Sequence, residues 1–287
     1  MREDGGLKTR GVAKRSIEGK PLVSIVTPVF NGRMYLEQTI RSVIGQTYDN
    51  VEYIVVDGGS TDGSIEIIRK YEKKIDYWLT EPDSGMYEAI NKGLESASGD
   101  ILAYINCDDL YYPDSIKMAV EYFKTHLSAE LIYGNCDFIG AKGNFLYTYR
   151  YPKFRFEHFI SLNVSSIPQQ ATFWRKDTHK KIGYFDTTFK LCGDFDFYAK
   201  AGKNCRIDHL NAVLARYRLH GKSLTALQGH RNREEVNMIH IKYDNQNRVW
   251  RMIHRWKFTL QLRLLNISGT LKRVYLRARK RMGQADL

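Results

Sequence analysis

The run "LVSIVTPVFNGRMYLEQTIRSVIGQTYDNVEYIVVDGGSTDGSIEIIRKYEK", Leu22 to Lys73, decides the fold. Its two short β-branched runs, LVSIVTPVF and VEYIVVDGG, read as strands. Between them, RMYLEQTIRSVIGQ has helical spacing with Met34, Leu36, Ile40, Val43 and Ile44 on its inward side, and STDGSIEIIRKYEK opens on Ser and Asp capping signals. Strand, helix, strand, helix is the order of βαβ units in a parallel sheet. Downstream, DYWLTEPDSG adds a short third strand and a turn, MYEAINKGLESASG a helix closed by Gly99, and DILAYIN a buried fourth strand ending at Asn106. Ligands of such sheets bind beyond the carboxyl ends of the strands, where loops converge and helix N-termini point their N–H groups inward. Asn31, Asp57, Asp83 and the pair Asp108–Asp109 all fall at these ends.

The acid pair lies in "YINCDDLYYPDSI", Tyr104 to Ile116, where an apolar run stops. Adjacent carboxylates repel, and a hard divalent cation removes that repulsion: Mg²⁺ or Mn²⁺ takes one or two protein carboxylates and completes its shell with water and substrate phosphate. The sequence contains neither a GxGxxG nor a GxxxxGK[ST] loop, so phosphates would be handled by such a cation.

With 287 residues the chain is long enough for one large α/β domain and an appendage. Four cysteines, Cys107, Cys136, Cys192 and Cys205, show neither CxxC spacing nor histidines at zinc-ligand intervals, which fits a reducing cytoplasm. No apolar run approaches the roughly 20 residues of a membrane span, and residues 1–20 have no signal-peptide core and read as a disordered lead. From Arg231 onward there are 14 Lys and Arg against 4 Asp and Glu, so +10 of the net +12 belongs to the tail. The main domain is nearly neutral, which argues against a nucleic-acid groove and for a surface-binding appendage.

Taken together, "VSIVTPVFNGRMYLEQTIRSVIGQTYDNVEYIVVDGGSTDGS" and "EPDSGMYEAINKGLESASGDILAYINCDDLYYP" strongly resemble the family-2 glycosyltransferases, over roughly residues 21–222. The resemblance implies the GT-A fold, a Rossmann-like α/β/α sandwich with a mainly parallel sheet, here at 21–229, followed by a basic amphipathic helical tail at 230–287. By that resemblance Pro28, Phe30 and Asn31 line the donor nucleoside pocket, Asp57 in DGGSTD contacts the nucleoside, with Gly58 standing where the commonest form of that motif has a second aspartate, and Asp83, Asn91 and Lys92 belong to the segment that closes over nucleoside and ribose. NCDD corresponds to the motif that holds cation and ribose. Asn106 stands at its first position, leaving Asp108 and Asp109 to hold the metal, with Asp108 also touching the donor. LCGDFDFYAKAG resembles the motif whose aspartate is the catalytic base. Asp194 keeps that place, Gly193 replaces the usual glutamate, and Asp196 is the alternate base. Gln169 and Gln170 in IPQQATFWRKD match a segment near acceptor and donor sugar. In RYRLHGKSLT, His220 is the candidate metal or diphosphate ligand, with Arg216 or Arg218 next.

The activity so implied is inverting, metal-dependent transfer of a sugar from a nucleoside-diphosphate sugar to an acceptor hydroxyl, in cell-envelope polysaccharide or oligosaccharide synthesis. The alternatives are a non-catalytic sugar-nucleotide or glycan-binding module and a nucleotidyltransferase. Phe195, Phe197 and the charge of Asp196 would raise the pKa of Asp194, while a helix N-terminus would lower it. In the tail, Val249, Ile253, Trp256, Leu260 and Leu264 share one helical face, with Arg248, Arg251 and Arg255 roughly opposite. That suits an anionic membrane surface, placing the enzyme on the inner face of the cell membrane with a saccharide or lipid-linked acceptor. A helix packed on the catalytic domain, or on a second copy in a homodimer, is the alternative.

Overall fold

The computed structural model describes residues 2–161, 166–221, 223, 229–243, 248–267 and 269–271. Strands β2 (Val23–Val29), β3 (Val51–Asp57), β4 (Tyr77–Thr80) and β5 (Ile101–Tyr104) pair in parallel in the order β4-β3-β2-β5. Every residue of β2 and β3 is buried, so side chains on both faces of the sheet are covered, as parallel strands with near-continuous apolar runs require. Helices α1 (Arg33–Ile44), α2 (Ser64–Lys70) and α3 (Met86–Glu95) follow the first three of these strands. In α1, Leu36, Ile40 and Val43 are buried and Ile44 is partly so, but Met34 is 63% exposed, because it sits in the first turn beside the open edge of the sheet.

The sheet continues beyond β5 with reversed and inserted strands. After β6 (Leu110–Tyr111) and α4 (Ser115–Thr125) come β7 (Leu131–Ile139), β8 (Phe145–Tyr149), α5 (Phe156–Ile160), β9 (Thr172–Arg175), α6 (Thr178–Ile182), α7 (Gly193–Asn204) and β10 (Ile207–Arg218). The antiparallel β9 bridges β5 to β7, β10 runs parallel to β7, and β6 closes the far edge against β10. This topology brings the end of β10 beside the acid pair, although the two are separated by about a hundred residues in the chain.

Two helices form the tail, α8 (Gly229–Tyr243) and α9 (Arg248–Leu265). The inward side of α9 carries Phe258, 2% exposed and packed on His158 of α5, and just beyond the helix Asn266 bonds both main-chain polar groups of Arg150. Val249, Trp256, Leu260 and Leu264 face outward, whereas Ile253 is half-buried. Helix α9 therefore docks on the catalytic domain with one face and exposes an apolar stripe on another. The side chains of Arg248 and Arg251 lie outside the described ones.

The opening residues are not a disordered lead. Strand β1 (Glu3–Gly5) adds antiparallel to β4, Lys14 reaches the buried Asp76 at 2.9 Å, and Lys8 Nζ lies 2.6 Å from Glu52 Oε1 while donating to Ser96 O. Main-chain pairing and lysine-to-carboxylate contacts hold this segment, and neither leaves an apolar periodicity in the sequence. Glu52 is fully buried, so removing its cation strands a charge. Lys8→Met should lower the unfolding free energy by about 3 kcal/mol in urea denaturation, and adding Glu52→Gln should recover part of that loss.

Candidate active site

The loops after β2 and β3 are stitched to each other. Asn31 adopts a left-handed backbone (φ 51°), which its side chain tolerates better than most, and its Oδ1 accepts the Thr61 N–H at 3.0 Å. In return Ser60 Oγ accepts the Asn31 N–H and Asp62 Oδ2 accepts the Arg33 N–H, capping α1 from the neighbouring loop. Pro28 is buried in β2 past the last residue pairing with β5, where its missing N–H costs no ladder bond. Phe30, two residues on, is 67% exposed at the strand end, an open aromatic face beside the cleft.

Asp57 is placed differently from the nucleoside contact expected of it. The residue is fully buried, and its carboxylate accepts the N–H groups of Gly59 and Ser60 and the hydroxyls of Ser60 and Thr80. It shapes the turn, with three of these bonds on Oδ2 and one on Oδ1. The carboxylate beside it belongs to Asp83: a Cβ added at Gly58 would fall 2.5 Å from Asp83 Oδ2, so glycine at 58 makes the room Asp83 occupies. Burial pushes the Asp83 carboxyl up. Asn91, expected at the donor, spends both ends of its amide on the main chain of Phe185, and Lys92 is held between Glu81 and Glu88 at 2.8 Å each.

The acid pair divides into two roles. Asp109 is 1% exposed, and its Oδ1 accepts the Arg218 N–H at 2.8 Å. Burial, then the adjacent Asp108, push its carboxyl well up. Asp108 instead keeps its side chain 24% exposed, with its Oδ2 2.8 Å from His220 Nε2. Arg218 is not a diphosphate ligand as placed. Its guanidinium is buried, donates to Asp108 O, Ala141 O and Gln38 Oε1, and stacks on Tyr35, whose ring also meets His220. Arg216 lies over the Tyr112 ring at 4.3 Å.

Asn106 Nδ2 donates to Gln169 Oε1 at 3.2 Å, and Gln169 Nε2 donates to Tyr104 O. Gln170 hydrogen-bonds the Cys136 thiol. Both glutamines are buried, so they back the acid loop instead of presenting open amides to a sugar. Asn106 Oδ1 and Asp109 Oδ2 are buried without a partner among the described residues.

Asp194 sits in the first turn of α7, its Oδ1 3.3 Å from the Tyr87 hydroxyl and 2.8 Å from the Phe195 N–H. It keeps an opening to solvent, yet the surrounding protein desolvates it and pushes its pKa up to about 6, against the lowering effect of the Phe195 N–H and Tyr87. Burial therefore outweighs the helix N-terminus. Asp196 is not an alternate base: it is fully buried and bound to Lys200, Lys242 and the Tyr243 hydroxyl. Asp108, Asp109 and Asp194 all act on one phenol, Tyr217 of β10, which burial and these three charges push up. The base candidate and the acid pair thus share one neighbourhood.

Comparison with known proteins gives this site its setting. The profile of glycosyl transferase family 2 matches residues 24–183, more than half of the chain. The chain belongs to that family. An uncharacterized glycosyltransferase of Rickettsia typhi is 32% identical over 71% of this chain, and one of Mycobacterium tuberculosis is 33% identical over 69%. The matched region spans 66% of the former's own length and 75% of the latter's. Among solved structures, Staphylococcus aureus TarS in complex with UDP-GlcNAc aligns with a TM-score of 0.63 at 19% identity, over 84% of this chain and 72% of that one. The mannosyltransferase PcManGT of Pyrobaculum calidifontis, in complex with GDP-Man and Mn²⁺, aligns at 0.60 and 17%, over 96% of this chain and 79% of that one. The fold is the GT-A α/β fold.

Two site residues, Tyr35 and Tyr87, gave no signal in the sequence, and the inward turn of the candidate Arg218 gave none either. The first two read as ordinary helix positions, and the arginine as one of three basic residues in a row of alternating character. The division between the aspartates predicts opposite phenotypes. Asp109→Ala should cost about 1–3 kcal/mol in a thermal or urea unfolding experiment, because the Arg218 N–H loses its acceptor in a buried setting. Asp108→Ala should change stability by no more than about 0.5 kcal/mol.

Proposed function

We propose that this family-2 glycosyltransferase inverts the anomeric centre, moving a sugar from a nucleoside-diphosphate sugar to an acceptor hydroxyl in cell-envelope polysaccharide or oligosaccharide synthesis. The observation that carries the reading is Asp194, a carboxyl tuned to about 6 within the electrostatic reach of the same phenol as the acid pair. A general base works best when its pKa lies near the operating pH, and an ordinary surface aspartate would be too weak. The sugar-nucleotide complexes of TarS and PcManGT support the donor class.

In this mechanism Asp194 accepts the acceptor hydroxyl's proton as that oxygen bonds to the anomeric carbon. The bond to the donor phosphate breaks on the opposite face, and its electron pair leaves with the nucleoside diphosphate. Phe30 offers a ring for the base to stack on, Asn31 holds the loop beneath it, and Asp83 supplies the carboxylate on this side of the pocket. Asp108 and His220 are the residues that would hold a divalent cation. Carboxylate oxygen and imidazole nitrogen suit Mn²⁺, and the carboxylate also suits Mg²⁺. Such a cation would take its other ligands from substrate phosphate and water. Such an ion supplies Lewis-acid stabilisation of the departing diphosphate. The buried, Arg218-bonded Asp109 supports this seat from behind.

Asp194→Asn should lower kcat by about 10²–10⁴-fold while leaving nucleoside-diphosphate affinity, measured by calorimetry, within about threefold. In the wild type, kcat/KM should fall as pH drops through about 6, because the carboxyl gains its proton there. A mutant with wild-type kcat removes the assignment.

The tail supports peripheral association with an anionic membrane face, where a lipid-linked acceptor would lie. No helix among the described residues is long and apolar enough to cross a membrane. The outer face of α9 instead exposes Trp250, Met252, Trp256, Leu260 and Leu264, with exposed Arg255 and Arg263 alongside. Apolar side chains entering the headgroup boundary, with cations at about 1 kcal/mol each on anionic lipid, account for both features. Full-length protein should pellet with phosphatidylglycerol vesicles and not with phosphatidylcholine vesicles, and Trp256→Glu with Leu260→Glu should abolish pelleting. Dimer dissociation in the double variant, with vesicle binding unchanged, would show a homodimer face instead.

A further inference from the structure

Helix α8 carries a carboxylate into the catalytic domain. Glu235 is 6% exposed and lies beside the inward-facing Val236 and Ile239. Its Oε1 accepts the N–H of Lys190 at 2.9 Å, and its Oε2 accepts those of Leu191 and Cys192 at 2.8 Å each. Those three residues are the run that enters α7 just ahead of Asp194. Hydrogen bonds from main-chain N–H groups to an ionised carboxylate are roughly twice as strong as neutral ones, and three on one group fix the chain's path in all directions. Tyr87 holds the same run from the other side, donating to Leu191 O at 3.0 Å.

The glutamate that precedes the base in the common form of the motif has no room here. A Cβ at Gly193 would fall 2.7 Å from the Tyr87 ring, which only a shift of α3 or of the chain would relieve. We infer that Glu235 is a positioning residue for Asp194, supplying from the tail helix the carboxylate that the local motif lacks. This rests on Asp194 being the base.

The groups facing Asp194 are the Tyr87 phenol of α3, Tyr104 of β5, Tyr217 of β10, Tyr198 of its own helix, the Cys192 thiol and Glu235. The phenols and the thiol are all pushed up by burial and stay uncharged near neutral pH. Glu235 brings negative charge, which raises Asp194.

The test compares wild type, Glu235→Gln, Glu235→Asp and Asp194→Asn in the full chain by steady-state kinetics across pH. Glu235→Gln should lower kcat by about 10–100-fold, the scale of a misplaced catalytic group, with donor KM within about twofold. Its acid limb in kcat/KM should move to lower pH, because a like charge has gone. Glu235→Asp keeps the charge on a shorter stem, so it should recover part of kcat and hold the acid limb at the wild-type pH. If Glu235→Gln does not fold, Glu235→Asp decides alone: a kcat below wild type with donor KM unchanged supports the inference, and a wild-type kcat overturns it. Unchanged kcat and acid limb in Glu235→Gln, with Asp194→Asn inactive, overturns the inference alone. An equal loss of kcat and donor affinity also overturns it, since that marks general loosening. Full activity in Asp194→Asn overturns the base assignment itself.

Discussion

A buried guanidinium is the constraint around which the rest of the site is arranged. Arg218 is 1% exposed, and a buried cation is tolerable only when its donors are met and opposite charge is near. It meets that requirement with Asp108 O, Ala141 O and Gln38 Oε1, while its own N–H goes to the Asp109 carboxylate. One residue at the last position of β10 thereby joins the acid loop, the turn after β7 and helix α1. His220 follows two residues later, and its contact with Asp108 depends on the same anchorage. The Asp108–His220 contact is a product of long-range closure of the sheet.

That closure also explains how two adjacent aspartates are tolerated. Asp109 points into the protein, where burial and the neighbouring charge favour its neutral form and Arg218 supplies a hydrogen bond. Asp108 points outward, with solvent and His220 available to it. The repulsion between two like charges is reduced by placing them in different dielectric surroundings before any ligand arrives. A cation adds to this arrangement and does not have to create it.

The parallel core was legible because β2 and β3 are apolar along their whole length and the helices between them keep a 3.6-residue rhythm. The places of Asn31, Asp83 and Asp108 just beyond strands and of Asp194 at a helix start were legible too. What could not be read was which way each polar group faces. Asp57 and Asp108 look alike in sequence, yet one is buried and accepts four hydrogen bonds while the other is partly exposed beside His220. Gln169, Gln170 and Asn91 failed in the same way, each turning its amide to an internal partner. The ordered opening segment was hidden for a different reason: Lys8 and Lys14 look like solvated charge until the buried acids they meet, Glu52 and Asp76, are in place.

The departures from the common motifs form a pattern of their own. At Gly58 and at Gly193 a carboxylate has been lost from the local sequence, and in both places a neighbouring side chain occupies the volume a Cβ would need, Asp83 over the first and the Tyr87 ring over the second. At 58 the intruder is itself a carboxylate, so charge is restored by the residue that excludes the old one. At 193 the intruder is a ring whose hydroxyl donates to Leu191 O and lies 3.3 Å from Asp194 Oδ1, and the carboxylate bonded to the run ahead of it is Glu235. Neither glycine loosens its turn. A Cβ at either position would collide with a side chain from a distant segment, so a longer residue there would need a second change to make room.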